Sequence, residues 1–556
     1  MKQSKKNNEL IITDKLSKLQ QLSSSGIILV VAVILFAIGI LSIGTTVFFN
    51  VIINYASELC RFKKDNILLN LMGCSITLTA LYFIYKIILP KINEKILLIL
   101  MIIISLIIGF AWVNYIEFRP LADQSLVVYC AECLLDKNVK TILEPGEYLN
   151  RNPHQLGCII YIMTVFKIFN TRSPLILQNL NVIYSAVNLF LLYLICKELF
   201  EKDLVRKIAI LLMGIFSIYW VFFSTHVYGN IPGLMFGLIA LLFTLKYIKN
   251  NKIYNLVIIA ISITIAYMLK SNYQIFLCAI IIILGLHTIQ IKKVIPIFGI
   301  LGILIAMFGF KTIVYTTISN NTRYSLDTGV SMTAYVYMGI AEPKTLSPGW
   351  YTADVETIYN QANFDSKASE EISEKLLSDR IIYLLKNPIY TLHYFSTKLR
   401  TTWLNPTFQV FWCSTPSTLM DLDPPYRLHI SSKPLLMSIL TGPIYQIEER
   451  ILDIYQIITF IAASIGLMVS FKNSDLKKSL LPLTFLGGFI FHIIWETKAI
   501  YVIQYFYIML PFAALGLCTV FDKLSDFIRQ NIYKNTETPS SSNETTTAKI
   551  LPFKHK

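Results

Sequence analysis

Charge is what this sequence has little of. Asp, Glu, Lys and Arg make up 15% of its 556 residues, against about 25% in an ordinary soluble domain. That is too little to cover a water-facing surface. Nucleotide-binding signatures are missing too. There is no Walker A sequence, no glycine-rich fingerprint and no soluble nucleotide-binding domain, which disfavours direct use of ATP or a nucleotide-sugar. Zinc-type patterns are absent. The nine cysteines are scattered, and most (Cys74, Cys158, Cys196, Cys278, Cys518) lie inside apolar runs. Cys130 and Cys133 stand two residues apart without a partner pair or a nearby histidine pattern, so they neither make a metal site nor define a disulfide framework.

What is present is apolar. Hydrophobic residues account for 54% of the chain, and several runs reach the ~20 residues that cross a hydrocarbon core. The first, from Gly26 to Ile53, is too long for a signal-peptide core and has no cleavage site after it, so it reads as a retained span. The net charge of +15 would suggest nucleic acid in a soluble protein. Here the basic residues sit in short loops, as the positive-inside rule requires, and the partner they imply is the lipid bilayer.

Twelve spans are expected, near 26–53, 67–90, 95–116, 175–196, 207–224, 230–247, 253–269, 273–290, 295–316, 452–471, 477–495 and 500–521. The 156–169 run is short for a crossing, and charge decides its place. If it lies along the surface, the clusters Lys197/Lys202/Arg206/Lys207, Lys246/Lys249/Lys252, Lys292/Lys293 and Lys472/Lys477/Lys478 all fall inside with both termini; if it crosses, later clusters fall outside. The reading is therefore an all-α polytopic bundle with interfacial helices in its outer loops. It divides into an N-terminal segment with two additional spans (1–94), a transmembrane module (95–521) with long outer loops 117–174 and 317–451, and a polar tail (522–556) whose end, 534–556, has the composition of a disordered segment. Within the second loop, 367–386 has helical patterning. The aromatic-rich 389–404 reads as a surface helix.

The outer segments hold the chemistry. Asp123 follows the third span; a carboxylate there can serve as a general base or hold a divalent cation, although on position alone an ordinary solvated aspartate is the better reading. His154 and Gln155 follow Pro153, where His154 can bind substrate or simply border the next helix. Lys270 and Lys498 stand in short outer turns, and Lys398 and Arg400 in the long outer loop, where positive residues are disfavoured unless they serve something. A phosphate is one such partner; snorkelling to headgroups is the blander one. Tyr228 and Glu496 lie in two further outer turns, where Glu496 can touch a sugar or pair with Lys498.

The order of these segments resembles the GT-C membrane glycosyltransferases, closest to the protein mannosyltransferase-like and aminoarabinose transferase-like group. The matching features are Asp123 in the first outer loop, the Pro153-His154-Gln155-Leu156-Gly157 segment before a short apolar helix, the His226–Asn230 turn, the Ala266–Asn272 stretch and the Trp495–Tyr501 turn. The likeness covers most of 95–520. It implies a GT-C-like bundle and sugar transfer with inversion from a polyprenyl-phosphate (undecaprenyl-phosphate) donor to an outer-face acceptor: a cell-envelope glycan, teichoic acid, lipid or protein. Asp123 would be the base, Lys270, Lys498, Arg400 and Lys398 would hold the donor phosphate, and His154, Gln155, Tyr228 and Glu496 would contact sugars. Members of the group often carry Asp-Glu where this chain has Asp123-Gln124, so a metal pair is not indicated; no cofactor is assigned, and a divalent ion at Asp123 stays open without a ligand cluster to indicate it. Two other outer-face or membrane activities remain open from the residues: a lipid-linked glycan flippase or transporter, and a glycan polymerase or ligase.

Overall fold

The computed structural model describes residues 2–50, 59–326, 328–343, 347–414, 433–440, 442–471 and 475–536. The chain is helical almost throughout. In order its elements are α1 (Lys2–Gly44), β1 (Thr45–Asn50), β2 (Leu59–Lys64), α2 (Ile67–Phe83), α3 (Glu94–Ile116), α4 (Asp123–Leu135), α5 (Lys140–Leu143), α6 (Tyr148–Arg151), α7 (Leu156–Phe169), α8 (Leu175–Leu199), α9 (Asp203–Phe223), α10 (Asn230–Asn250), α11 (Ile253–Leu269), α12 (Gln274–Ile291) and α13 (Ile295–Thr322). The second half adds α14 (Met332–Ile340), α15 (Asp354–Gln361), α16 (Ser366–Lys386), α17 (Pro388–Trp403), α18 (Val410–Ser414), α19 (Pro434–Leu440), α20 (Pro443–Phe471), α21 (Leu476–Ile494), α22 (Ile503–Ile508) and α23 (Leu510–Thr536).

Among the described residues, ten helices are long and apolar enough to cross a membrane, and the chain is a multi-pass membrane protein. An eleventh span is formed if the bent pair at the end of the chain is counted as one. The expected span 500–521 is in fact broken: Ala499–Ile508 and Leu510–Asn531 meet at 54°. Pro511, near the start of α23, cannot donate a backbone hydrogen bond and permits the bend. The expected span 253–269 is α11, a helix of 17 residues.

Two boundaries differ from expectation. The first span ends at Gly44 rather than continuing to 53, because Thr45-Thr46-Val47-Phe48-Phe49-Asn50 forms a strand paired antiparallel with Leu59–Lys64. β-branched and aromatic residues suit a pleated strand, and apolar character alone did not separate them from α1. The bundle therefore carries one two-stranded hairpin, tied to the end of α17 by Val47 N–H donating to the Leu404 carbonyl at 3.3 Å. At the other end of the chain, helix continues through 522–536, within the stretch assigned to the tail; the remainder of that stretch lies outside the described residues.

The 156–169 run is a 14-residue helix, α7. The end of α3 and the start of α8 are side by side: Asn114 donates to Asn179 at 3.1 Å, and Gln178 donates to the Phe118 carbonyl at 2.8 Å. The chain thus leaves the bundle and returns to it at the same end, and α7 does not cross between them. The ends of α3, α9, α11 and α21 and the starts of α4, α10 and α12 gather at this end. Ion pairs Arg206–Glu94 (2.8 Å), Lys249–Glu198 (3.0 Å) and Lys202–Asp522 mark the opposite one. The expected surface helices appear as α16 and α17. Their Leu385, Ile389 and Leu392 are 77%, 86% and 74% exposed, an apolar edge suited to lipid contact.

Candidate active site

Asp123 opens α4 and is exposed. Its Oδ2 accepts a hydrogen bond from the Tyr228 hydroxyl at 3.3 Å. The Gln155 amide donates to the same hydroxyl at 2.6 Å and also lies 3.3 Å from His154 Nε2. Tyr148 stands 3.4 Å away on another side. The 148–155 segment and the 226–230 turn, far apart in sequence, therefore converge on the carboxylate of α4. Gln155 and Tyr228 are buried and structurally committed, whereas Asp123 and His154 face open space.

Lys270 completes the cluster. Its Nζ sits 3.8 Å from the centroid of the Tyr228 ring and 5.9 Å from that of Tyr501. An ammonium over an aromatic face is held by the ring quadrupole. Surrounding protein pushes the Lys270 pKa down to about 8, against the opposing pull of Asp123, Cys158 and Glu496. Although His154 keeps solvent access, the protein around it and the charges of Lys270 and Lys311 lower its pKa to about 4. Lys270 and Lys498 act likewise on His226, after its own enclosure, and bring it down to about 3.

Two glycines allow this convergence. Gly229 has φ +75, and a Cβ there would lie 2.2 Å from the Leu269 carbonyl oxygen; a Cβ on Gly157 would lie 2.1 Å from that of Met268. The His226–Asn230 turn and the start of α7 can thus press against the last turn of α11 and hold Lys270 beside Tyr228.

Glu496 and Lys498 follow α21. Tyr501 donates to Glu496 Oε1 at 3.5 Å, and Lys498 lies 5.9 Å and 5.7 Å from the Tyr351 and Trp412 rings. Glu496 acts electrostatically on Lys270, and Lys270 and Lys498 both act on His226, so the three charges are neighbours at this end of the bundle. The two remaining basic residues are placed differently from expectation. Lys398 is fully buried and donates to the carbonyls of Gly339, Ile493 and Trp495 at 2.5, 2.8 and 2.8 Å. An ammonium has three protons, and all three are taken, so Lys398 fastens the 493–496 turn rather than presenting charge to a phosphate. Burial lowers its pKa to about 7 while Glu496 opposes; the three carbonyls favour the ammonium form. Arg400 packs its guanidinium 4.4 Å from the Phe62 ring on the hairpin.

Several site residues carry no sequence motif. Tyr335 of α14 donates to Asn152 at 3.0 Å, meets His154 edge-on at 6.2 Å and stacks on Trp495 at 5.9 Å. Arg151 and Glu356 approach at 3.9 Å. Only the alternation of aromatic and polar residues near these positions hints at them. Among the described residues no group of three His, Cys, Asp or Glu side chains is close enough to hold a metal ion. A separate cavity of about 660 Å³ opens on the Ser125/Tyr129/Glu132 side of α4, lined also by Glu117, Phe118 and Arg119; it does not include Asp123 or Lys270.

Fold and site define a multi-pass helical membrane protein with a carboxylate and an ammonium gathered at one end of the bundle. Residues 158–315 match the family model described as dolichyl-phosphate-mannose-protein mannosyltransferase, the group that the outer-loop pattern resembles. The match runs from α7 to α13 and includes Tyr228 and Lys270. No curated protein matches the chain. Among solved structures, the oligosaccharyltransferase of Archaeoglobus fulgidus, tethered with an acceptor peptide containing the NVT sequon via a disulfide bond, is similar at 11% identity and a TM-score of 0.37, over 77% of this chain and 50% of that one. This chain thus spans about half the length of that structure.

Proposed function

We propose that this protein is a membrane glycosyltransferase that moves a sugar from a polyprenyl-phosphate carrier, undecaprenyl-phosphate in a bacterial membrane, to an acceptor on the outer face of the cell envelope. The observation that carries the reading is the shared use of Tyr228: its hydroxyl donates to Asp123 and its ring carries the Lys270 ammonium. Such a transfer has two needs, removal of a proton from the acceptor hydroxyl and stabilisation of the departing phosphate. Asp123 supplies the first and Lys270 the second, with Lys498 as a further cation nearby.

In the proposed step the acceptor oxygen bonds to the anomeric carbon as the bond from that carbon to the phosphate oxygen breaks. The acceptor proton passes to Asp123, and the polyprenyl phosphate leaves against Lys270. Attack opposite the leaving group inverts the anomeric configuration. Tyr228 and Gln155 keep the carboxylate in place. His154 and Glu496, facing the same space, contact sugar hydroxyls.

The test compares envelope glycans from cells with the wild-type protein, without it, and with Asp123→Ala at matched membrane levels. Loss of one defined sugar in both altered strains, with its polyprenyl-phosphate form accumulating, is expected. Unchanged glycans, or lipid-linked sugar retained on the inner leaflet, would overturn the reading and favour a flippase.

A further inference from the structure

The group resembled by this sequence often carries a second acid beside its first-loop aspartate; here the neighbour is Gln124. That glutamine is 5% exposed, and its side-chain oxygen accepts the Val227 backbone N–H at 2.8 Å. It fastens the turn that carries Tyr228 and takes no part in the open site. A second carboxylate near the site comes from elsewhere in the chain.

That carboxylate is Glu356 on α15, delivered by the long outer segment. Burial of Val355, Ile358 and Tyr359 turns this short helix inward, and the Tyr359 hydroxyl donates to Asn150 at 3.0 Å. The Glu356 side chain is 26% exposed and its ion pair with Arg151 is long, at 3.9 Å. Beyond Arg151, Glu356 is held by the Tyr351 hydroxyl, which bonds to its carboxylate, while Arg151 Nε is enclosed without a hydrogen-bond partner. The charges of both Asp123 and Glu356 act on the hydroxyls of Tyr335 and Tyr351, which connects this pair to the catalytic cluster. Tyr335 also touches His154 and Trp495, and Tyr351, 40% exposed, faces Lys498.

We infer that Glu356, with Tyr351 and Tyr335, forms the acceptor subsite and that the acceptor is a carbohydrate. A carboxylate accepts from paired sugar hydroxyls, and exposed aromatic faces pack against the C–H face of a pyranose ring. Carbohydrates offer both surfaces at once. This inference rests on the transferase reading. In it Glu356 binds and positions the acceptor, while Asp123 takes its proton.

The experiment uses the purified full-length protein in detergent. The donor is polyprenyl-phosphate sugar extracted from the deletion strain, and the acceptor is that strain's own envelope polysaccharide. Slow hydrolysis of the donor by water is followed alongside transfer. Glu356→Gln is expected to raise the acceptor KM about tenfold or more, leaving kcat within about twofold and donor hydrolysis unchanged. Tyr351→Phe is expected to raise the same KM by a smaller factor, and it keeps the test alive if the first variant does not fold. An unchanged acceptor KM in a folded variant overturns the subsite, as does equal loss of hydrolysis and transfer. Transfer to protein in preference to the polysaccharide overturns the carbohydrate assignment. If the wild-type protein neither transfers nor hydrolyses the donor, the transferase reading itself has failed, and the subsite falls with it.

Discussion

Lys270 stands over the ring of Tyr228 at 3.8 Å while the hydroxyl of that tyrosine donates to Asp123 at 3.3 Å. One side chain thereby sets the spacing between a cation and a carboxylate drawn from α4 and the end of α11. Changing Tyr228 changes both neighbours, but by different means.

Tyr228→Phe keeps the face under Lys270 and removes the hydroxyl. The expected result is about a tenfold fall in kcat, with the donor KM little changed. Tyr228→Ala removes both supports and is expected to raise the donor KM as well. Equal behaviour of the two variants in steady-state assays would show that the ring contact has no part in donor binding.

Asp123→Asn keeps the shape and removes the base. A general base contributes about 10²–10⁴-fold, so transfer should fall by that order while thermal melting stays near wild type. Asp123 is exposed, and its loss leaves no buried partner unsatisfied except the Tyr228 hydroxyl, which also has Gln155 and Tyr148. Retention of full transfer activity would remove Asp123 from the mechanism.

The Lys270 pKa, near 8, predicts a basic limb in the pH profile. The ammonium is the phosphate-holding form, and it is lost as pH rises through that value. Accordingly kcat/KM should fall above about pH 8. Bound phosphate favours the ammonium, so the limb in kcat should lie at higher pH. Lys270→Arg should remove the limb in the accessible range, since arginine stays protonated. A limb that persists in the arginine variant would belong to another group.

Lys398→Met tests a structural assignment. It leaves the carbonyls of Gly339, Ile493 and Trp495 without their shared donor. Unsatisfied buried groups cost about 1–3 kcal/mol each, so a clear drop in melting temperature is expected, larger than that from Lys270→Met. A stable variant with a raised donor KM would instead return Lys398 to the phosphate site.

The legible part of this molecule was its apolar periodicity and the sidedness of its charge. Tyr228 and Lys270 could be singled out because each stands in a short turn between long apolar runs, and Asp123, His154 and Gln155 because they flank the third span and the short apolar helix. Tyr335, Tyr351 and Glu356 could not, because they lie in a long outer stretch whose folding depends on contacts between α6, α14 and α15 rather than on any local spacing. Lys398 was misplaced for a related reason: a lysine in an outer segment looks the same whether it meets solvent or three carbonyls. The hairpin was hidden because Thr45–Asn50 continues the apolar character of α1 without a break.

The adjacency of Asn114 and Asn179 has an energetic consequence. It puts the loop that bears Asp123 at the end of the bundle opposite the Glu94–Arg206 pair. In the proposed reaction, Asp123 and any nucleotide pool on the other side are separated by the full hydrocarbon thickness, about 30 Å. No activated nucleotide can then drive the step directly. The driving force has to arrive stored in the sugar–phosphate bond, on a carrier already loaded and turned across the membrane by other proteins. The protein would spend that bond without making it, and its rate in the cell would be set by how quickly charged carrier is delivered to its face.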